Sequence, residues 1–467
     1  MLDLIIQGGS IVNADAIIKT DIAVQDGRIV SLGDAALLGR AKRVINAAGQ
    51  YVLPGLIDMH THFEAPFMGC RGALDFYSGS VAGAFGGVTT FIDFTNTRPG
   101  DSVLARVKER REEMAKAVID YSTHAKFVEA NPQVIAEIPA IVEYGCSSIK
   151  LFMTYRKEGV MIEDDGMLAV LEAARKWGAL PGVHAESNAI AEFHIERQRA
   201  KGELDWIDFP KAKPPLCEEE AVRRAILLAE AAGSPLYIFH LTSRRGLETV
   251  RQSRLRGCPV YAETCPHYLV LTQEMYRQEE GYRYIMSPPL RDTDDCQALW
   301  TGLGQDVLVV SSDDCTYTLA EKTMFLPQDE TGGRRDFTKV VNGVPGIETR
   351  LPLLLEEGVQ QGRLTLQQLV AVASANPAKL FGLYPEKGVL QPGSLADMVL
   401  VDLAQTGTIQ ADRLHQGIDY SVYEGKKVTG WPTMTIARGK VIVEDGNFVG
   451  VRGAGQFVRR KPFAANR

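Results

Sequence analysis

Over residues 53–375 the chain repeats one unit. A short apolar run that reads as a β-strand is followed by a stretch with apolar residues every three or four positions, which reads as a helix. The strand-like runs fall at 52–60, 88–94, 118–125, 147–153, 181–186, 236–242, 259–264 and 307–313. Between them lie segments such as VLARVKERREEMAKAV, GMLAVLEAARKWGA and EEEAVRRAILLAEAAG. Eight such units in one stretch predict an α/β fold, a (β/α)8 TIM barrel. A doubly wound sheet would instead predict a glycine-rich phosphate loop after an early strand, and none is present. The two ends differ from this middle. Residues 1–52 (LDLIIQGGSIVN, TDIAVQDGRIVSLG, RVINAAGQYVL) and 376–446 (GSLADMVLVDL, KVTGWPTMTIARGKVIVEDGNFVG) alternate apolar and polar residues between glycine-containing turns. They are expected to form one small β-sandwich from both chain ends. The basic tail, 447–467, is expected to be an arm that packs on a neighbouring subunit or is partly disordered, and not a ligand site.

In a barrel of this kind the C-terminal ends of the strands surround one mouth, so residues far apart in sequence converge there. Six side chains at predicted strand ends can bind a metal ion: His60 and His62 in LPGLIDMHTHF, Lys150 in SSIKLFMTY, His184 in PGVHAES, His240 in LYIFHLTS and Asp313 in VLVVSSDDC. The chain has eight histidines, and these positions take half of them. His60 and His62 are two apart on a strand, so both can reach one ion, and Asp58 shares their parity and is expected to orient a ring. Neutral imidazole and carboxylate are ordinary ligands for zinc and related divalent ions. No cysteine is grouped with them, so a structural thiolate site is not expected. Lys150 is the odd member, because an ammonium beside cations is unfavourable. A neutral amine there would react with CO2 to give a carbamate able to bridge two ions. Taken without the histidines, the residue reads instead as a lysine that caps its strand and pairs with Asp313.

Composition removes several classes. A formal net charge of -7 argues against nonspecific nucleic-acid binding, which needs a basic face. Seven dispersed cysteines, with no CxxC pair, read as reduced thiols in a reducing compartment. There is no apolar run of about 18 residues, so no membrane span is expected. The start, MLDLIIQGGSIVN, is too short and too acidic for a signal peptide, and a cytoplasmic location is the default.

The segments PGLIDMHTHF, GGVTTFIDF, SSIKLFMTY, VHAES, FHLTS, AETCPHYL, SPPLR, SSDDC, NGVPGIETR and GSLADMVLVD, in this order across nearly the whole chain, resemble the cyclic amidohydrolases, in particular the hydantoinase and dihydropyrimidinase group. The resemblance implies a metal-dependent hydrolase that opens a five- or six-membered cyclic diamide to an N-carbamoyl amino acid. It implies two divalent ions, zinc first and manganese or cobalt as alternatives. His60, His62, carboxylated Lys150 and Asp313 would hold one ion; Lys150, His184 and His240 would hold the other. The ions would activate a shared hydroxide, with Asp313 as the general base. Tyr155 would donate to the oxyanion, and Ser287 and Asn342 would bind the substrate's amide edges. A homo-oligomer, dimer or tetramer, is implied as well. Allantoinase activity and a catalytically silent scaffold are the alternatives. Dihydroorotase places an arginine after its HxH pair to hold a substrate carboxylate. Phe63-Glu64-Ala65-Pro66 stands here instead, which disfavours an acidic ring. Asp314 occupies a position that is often histidine in the family, and a carboxylate there is expected to influence pH dependence. Phe63, Phe67, Met68, Tyr155 and Met161, in loops 63–73 and 154–162, are expected to form an apolar wall together with loop 95–100. Glu218, Glu219 and Glu220 open a helix and read as complement to its positive end.

Overall fold

The computed structural model describes residues 1–327 and 335–463. The alternation of strand and helix closes into a parallel barrel whose eight strands are Leu56–Thr61, Val88–Phe94, Asp120–Lys126, Ser148–Phe152, Leu180–His184, Leu236–Ile238, Val260–Thr264 and Val309–Val310. Each pairs with its sequence neighbour. A bridge between Thr61 and Asp314, with His62 N donating to Asp314 O at 2.8 Å, joins the first strand to the chain after the last. All seven residues of Val88–Phe94 are buried, as expected of a strand covered by helices on one face and filled barrel on the other. Turns between helix and strand use ordinary caps. Gly178, at φ 73°, ends the helix Asp164–Trp177 and returns the chain to Leu180.

The run 52–60 resolves into two strands. Tyr51–Pro54 pairs with Ser10–Val12 and with Met398–Thr408, so it belongs to the sandwich. Leu56–Thr61 belongs to the barrel. Gly55 marks the crossing, where a Cβ would stand 2.2 Å from Thr89 Oγ1. The sandwich pairs the four strands Arg28–Gly33, Asp21–Gln25, Leu2–Gln7 and Ala41–Asn46 with a seven-stranded sheet built from both chain ends. Leu4, Ile6, Ile22 and Val24 meet Val52, Met398, Leu400 and Ile436 between the sheets. Residues 376–397 serve both bodies. Leu380, Phe381 and Leu383 pack with Ile57, Ile92, Tyr237 and Val309 inside the barrel, whereas Leu390 and Ala396 join the sandwich core.

As far as Phe463 the basic tail lies on its own barrel. Tyr121 N donates to Gln456 O at 3.0 Å and Val458 N to Tyr121 O at 2.8 Å. Arg460 is buried and donates to Ser122 Oγ at 3.0 Å and Thr123 O at 2.6 Å. These contacts satisfy backbone groups at the base of the third strand. Residues 464–467 of that tail lie outside the described residues. All seven cysteines are free thiols. Among the described residues no helix is long and apolar enough to cross a membrane.

Asp120 joins the three parts. Its carboxylate accepts from Arg438 Nε at 2.9 Å and from Gln456 N at 2.9 Å, and lies 2.7 Å from Lys387 Nζ. Burial alone would raise its pKa, but Lys387 and Arg438 outweigh burial and hold it below the usual carboxylate value. A carboxyl whose pKa is depressed on folding adds stability above its unfolded pKa and loses it as pH falls through the folded value. Acid unfolding below about pH 4 is therefore expected to depend on this residue. Asp120→Asn should cost about 3–5 kcal/mol at pH 7, the usual range for breaking a buried ionic contact, and should flatten the loss of stability in acid. Urea unfolding at pH 7 and at pH 3 checks both; equal midpoints for variant and parent at pH 7 would dismiss the link.

Candidate active site

The strand ends bring the six metal-capable residues to one mouth. His60 Nε2 lies 3.1 Å from both His62 Nε2 and Asp313 Oδ1, and His62 Nε2 lies 3.3 Å from that same oxygen. The rings of His184 and His240 approach to 4.4 Å between centroids, and His240 to 5.4 Å from His60. Lys150 is buried between them. Its Nζ stands 3.8 Å from the Phe239 ring centroid and 4.9 Å from those of Phe94 and Phe152. It has no ion-pair partner among the described residues, so it does not make the Asp313 pair considered from sequence.

Burial governs the charges. It drives the pKa of His62 down to about 3 and of His184 to about 4, with His60 and His240 also well below the ordinary imidazole value. All four are neutral at pH 7, the form that binds metal. Burial also lowers Lys150 to about 7, against the pull of Asp313 and Glu263, so a large share of this amine is uncharged. These residues fit a bound cation on two grounds. His60 Nδ1 is engaged by Glu263 at 2.5 Å, so its Nε2 offers a lone pair. That lone pair faces a second imidazole nitrogen and a carboxylate oxygen, a crowding of acceptors that a cation relieves. Ligands about 2.1 Å from a tetrahedral ion stand about 3.4 Å apart, close to the spacing here. Further, His240 Nδ1 is buried without any hydrogen-bond partner.

Several supports were not foreseen. Asp58 does not orient a ring. The ladder between the first two strands slips between the pairs Asp58–Phe91 and Thr61–Asp93, inserting one residue and breaking the expected parity. Asp58 instead accepts from the backbone of His60 (3.3 Å) and Ser312 (3.1 Å). Glu263, at the end of the seventh strand, does the orienting. Besides His60 it accepts from His240 N (3.2 Å), Tyr237 OH (2.9 Å) and Ser311 Oγ (2.8 Å). Burial pushes its pKa up to about 8, but four such contacts call for the carboxylate form. Its signal in the sequence was an acid inside an apolar strand, VYAET. Glu186 accepts from Lys213 Nζ at 2.8 Å and meets His184 Nε2 at 2.7 Å, which leaves Nδ1 of that ring for a ligand. Glu218 is the acid in the first turn of its helix, and it also accepts from Thr242 N and Ser243 N, both at 2.8 Å, fixing the chain just after His240. Asp314 points away from the mouth, accepting from Gly346 N (2.8 Å), Ile347 N (2.9 Å) and Gln416 Nε2 (2.9 Å). It anchors a loop and does not face the cavity. Nor is the site free of thiols: Cys265, His267 and Asp313 offer ligand atoms within 4.8 Å of one another.

Above the six residues lies a cavity of about 230 Å³ lined by Phe67, Met68, Phe94, Phe152, Tyr155, Val160 and Met286, and also by Ser287 and Asn342. Phe63 is not part of this wall. It packs between Phe76 and Phe91 in the layer between barrel and helices. Met161 does not line the cavity either; Val160 does. Ser287 Oγ accepts from Lys213 Nζ at 2.9 Å and from Asn342 Nδ2 at 3.0 Å, so both residues are tied to one corner. Lys322 secures that corner from beneath, donating to Ile285 O (3.0 Å), Val341 O (3.0 Å) and Gly343 O (2.7 Å). Burial raises Tyr155 to about 12, so its hydroxyl is a donor at neutral pH. Tyr155, His240 and Asp313 all have positive φ (65°, 38° and 49°), and so does Met68 in the wall (48°). Strained backbone held by surrounding structure is characteristic of functional sites.

A family model described as "Amidohydrolase family" matches residues 51–266 and 292–442. The chain belongs to the amidohydrolase family. This amidohydrolase is 40% identical to a D-hydantoinase from Ralstonia pickettii over 467 residues, covering 99% of this chain and 100% of that protein. It is also 40% identical to a D-phenylhydantoinase from Escherichia coli K12, covering 98% of each. Among solved structures, a dihydropyrimidinase from Brevibacillus agri superposes with TM-score 0.95 at 37% identity, covering 99% of this chain and 100% of that one. An L-hydantoinase (dihydropyrimidinase) from Arthrobacter aurescens gives 0.90 at 31% identity, covering 98% and 100%. The family is generally dependent on two metal ions, and His60, His62 and Asp313 form a group able to hold one. Ser287 lies in the segment between the two matched stretches.

Proposed function

We propose that this amidohydrolase hydrolyses a ring amide of hydantoins or dihydropyrimidines, giving N-carbamoyl amino acids. The observation that carries this reading is Lys150: an inward, buried amine, low in pKa and without a counter-ion, inside a ring of four neutral imidazoles and an aspartate. Such an amine attacks CO2 through its nitrogen lone pair, forms an N–C bond and sheds a proton, leaving an anionic carbamate. His60, His62, Asp313 and the carbamate of Lys150 would hold one divalent ion; His184, His240 and the same carbamate would hold the second. The donor set suits Zn2+ and also accepts Mn2+ or Co2+. When bound, such a pair polarises a carbonyl and draws the pKa of water toward about 7.

The remaining steps belong to the chain. Asp313 accepts the proton of the attacking water and passes it to the departing ring nitrogen. Tyr155 donates its hydroxyl hydrogen to the oxygen that becomes anionic as the carbonyl turns tetrahedral. Ser287 and Asn342 bind the edge of the ring beside the broken bond, held by Lys213 and Lys322. The apolar wall of Phe67, Met68 and Phe152 accommodates part of the ring substituent. The likeness to hydantoinases over the whole chain favours this chemistry over allantoin hydrolysis, and the retained ligands argue against a silent scaffold. Exposed Phe193, Leu216 and Leu227 supply apolar surface for a homo-oligomer, a dimer or tetramer. Free thiols support a cytoplasmic location.

The test is a panel of 5-substituted hydantoins of both hands, dihydrouracil and allantoin, assayed by appearance of the ureido product. Turnover of allantoin alone, or of none of them by protein carrying two ions per chain, would overturn the reading.

A further inference from the structure

Resting on the reading that this cavity takes a cyclic diamide, we propose that Lys126 makes the enzyme selective for rings bearing a short carboxylate side chain, by pairing its ammonium with that carboxylate. Lys126 ends the third barrel strand. Two residues earlier, His124 lies inside the barrel, stacked on Phe94 with centroids 4.8 Å apart, so Lys126 also faces inward. The ladder pairs Lys126 with Lys150, which puts the two residues at one level of the barrel. Its side chain lines the cavity together with His62, Met68, Thr95 and Asn96.

Lys126 has no ion-pair partner among the described residues. The acid that acts on it, Asp101, is already committed to Arg106 Nε at 2.9 Å and Nη2 at 3.1 Å. Two further acids line the cavity: Asp313, engaged with His60 and His62, and Glu158, exposed at the rim. Exposed Arg98 adds positive charge on the same side, whereas Arg110 is paired with Asp93 and Glu113, each at 2.7 Å. Burial pulls Lys126 down to about 8, so the ammonium is still the main form at pH 7. A half-buried cation facing a largely apolar cavity is stabilised when an anion joins it, and a carboxylate carried by the substrate supplies that anion. The charge that an arginine after the His60–His62 pair would have provided comes here from another strand.

The experiment compares 5-(2-carboxyethyl)hydantoin with its uncharged amide, 5-(2-carbamoylethyl)hydantoin, for the metal-loaded enzyme and for Lys126→Met and Lys126→Glu. The parent is expected to favour the acid by about tenfold or more in kcat/KM, mostly through KM. Lys126→Met should bring that ratio toward one, and Lys126→Glu should invert it. Calorimetric binding of both compounds, run in parallel with metal content, reads the same ratio without turnover. A parent ratio near one overturns the proposal. So does a ratio that survives in Lys126→Met while metal content and both rates fall together, since Lys126 would then act on Lys150 and not on substrate. Failure to open either ring would instead strike the hydrolase reading, and the calorimetric ratio would still decide the role of Lys126.

Discussion

Replacing Lys150 with alanine is expected to remove both metal ions and more than about a thousandfold of the hydrolytic rate in one step. The argument is geometric and electrostatic. Two clusters of imidazoles face each other across the mouth, and every one of them is neutral. Asp313 is the carboxylate on the donor side of His60 and His62, with Glu263 and Glu186 behind the rings of His60 and His184, so one negative charge in the donor ring would face two dications. A carbamate on Lys150 adds a second negative charge and two oxygens, and without it the charge balance fails for both ions. The alanine variant should fold. Lys150 makes no ion pair among the described residues, and deleting such a buried amine relieves a desolvation cost. Metal content by mass spectrometry, melting temperature and activity are measured together. Because the vacated space is lined by Phe94, Phe152 and Phe239 and opens to the donor ring, acetate or propionate should restore part of the metal and of the rate in parallel. An alanine variant that is inactive yet keeps two ions per chain would refute the bridging role.

How much of this was legible in the chain follows from what periodicity encodes. Alternating strand and helix patterns report which face of each element is buried, and that sufficed for the barrel and for the six strand ends. Periodicity is silent wherever the backbone leaves the pattern. The slip beside Met59 and His60 turned Asp58 away. Positive φ at His240 and Asp313 ends their strands at Ile238 and Val310, well short of the apolar runs that suggested them. Partners across the barrel were equally hidden. Glu263 meets His60 over 203 positions of sequence, and although an acid inside the apolar strand VYAET marks it as unusual, nothing local names its partner. Asp314 looked as close to the mouth as Asp313, yet the turn at Asp313 sends consecutive carboxylates to opposite sides. Phe63 and Phe67 share one loop; the first is drawn into the packing against Phe91, and the second is left facing the cavity.

That divergence of neighbouring acids bears on the second large effect. Asp313→Asn is expected to lower kcat by about 10³, within the range for loss of a general base, while leaving most of the metal in place. Asparagine keeps an oxygen where Oδ1 now lies 3.1 Å from His60 Nε2, so a neutral ligand survives. It cannot accept the proton of the attacking water or return it to the ring nitrogen. Any metal lost through the missing charge should return with excess divalent salt, and the rate should not. Recovery of the full rate with the metal would make Asp313 a ligand only and would move the base elsewhere. Asp314 is no substitute, although it is adjacent in sequence. Its oxygens are taken by Thr316, Gly346, Ile347 and Gln416, and turning it toward the mouth would strand those donors. The double variant Asp313→Asn/Asp314→Asn should therefore lose stability relative to Asp313→Asn with little further change in kcat, separating the acid that does chemistry from the acid that holds the loop.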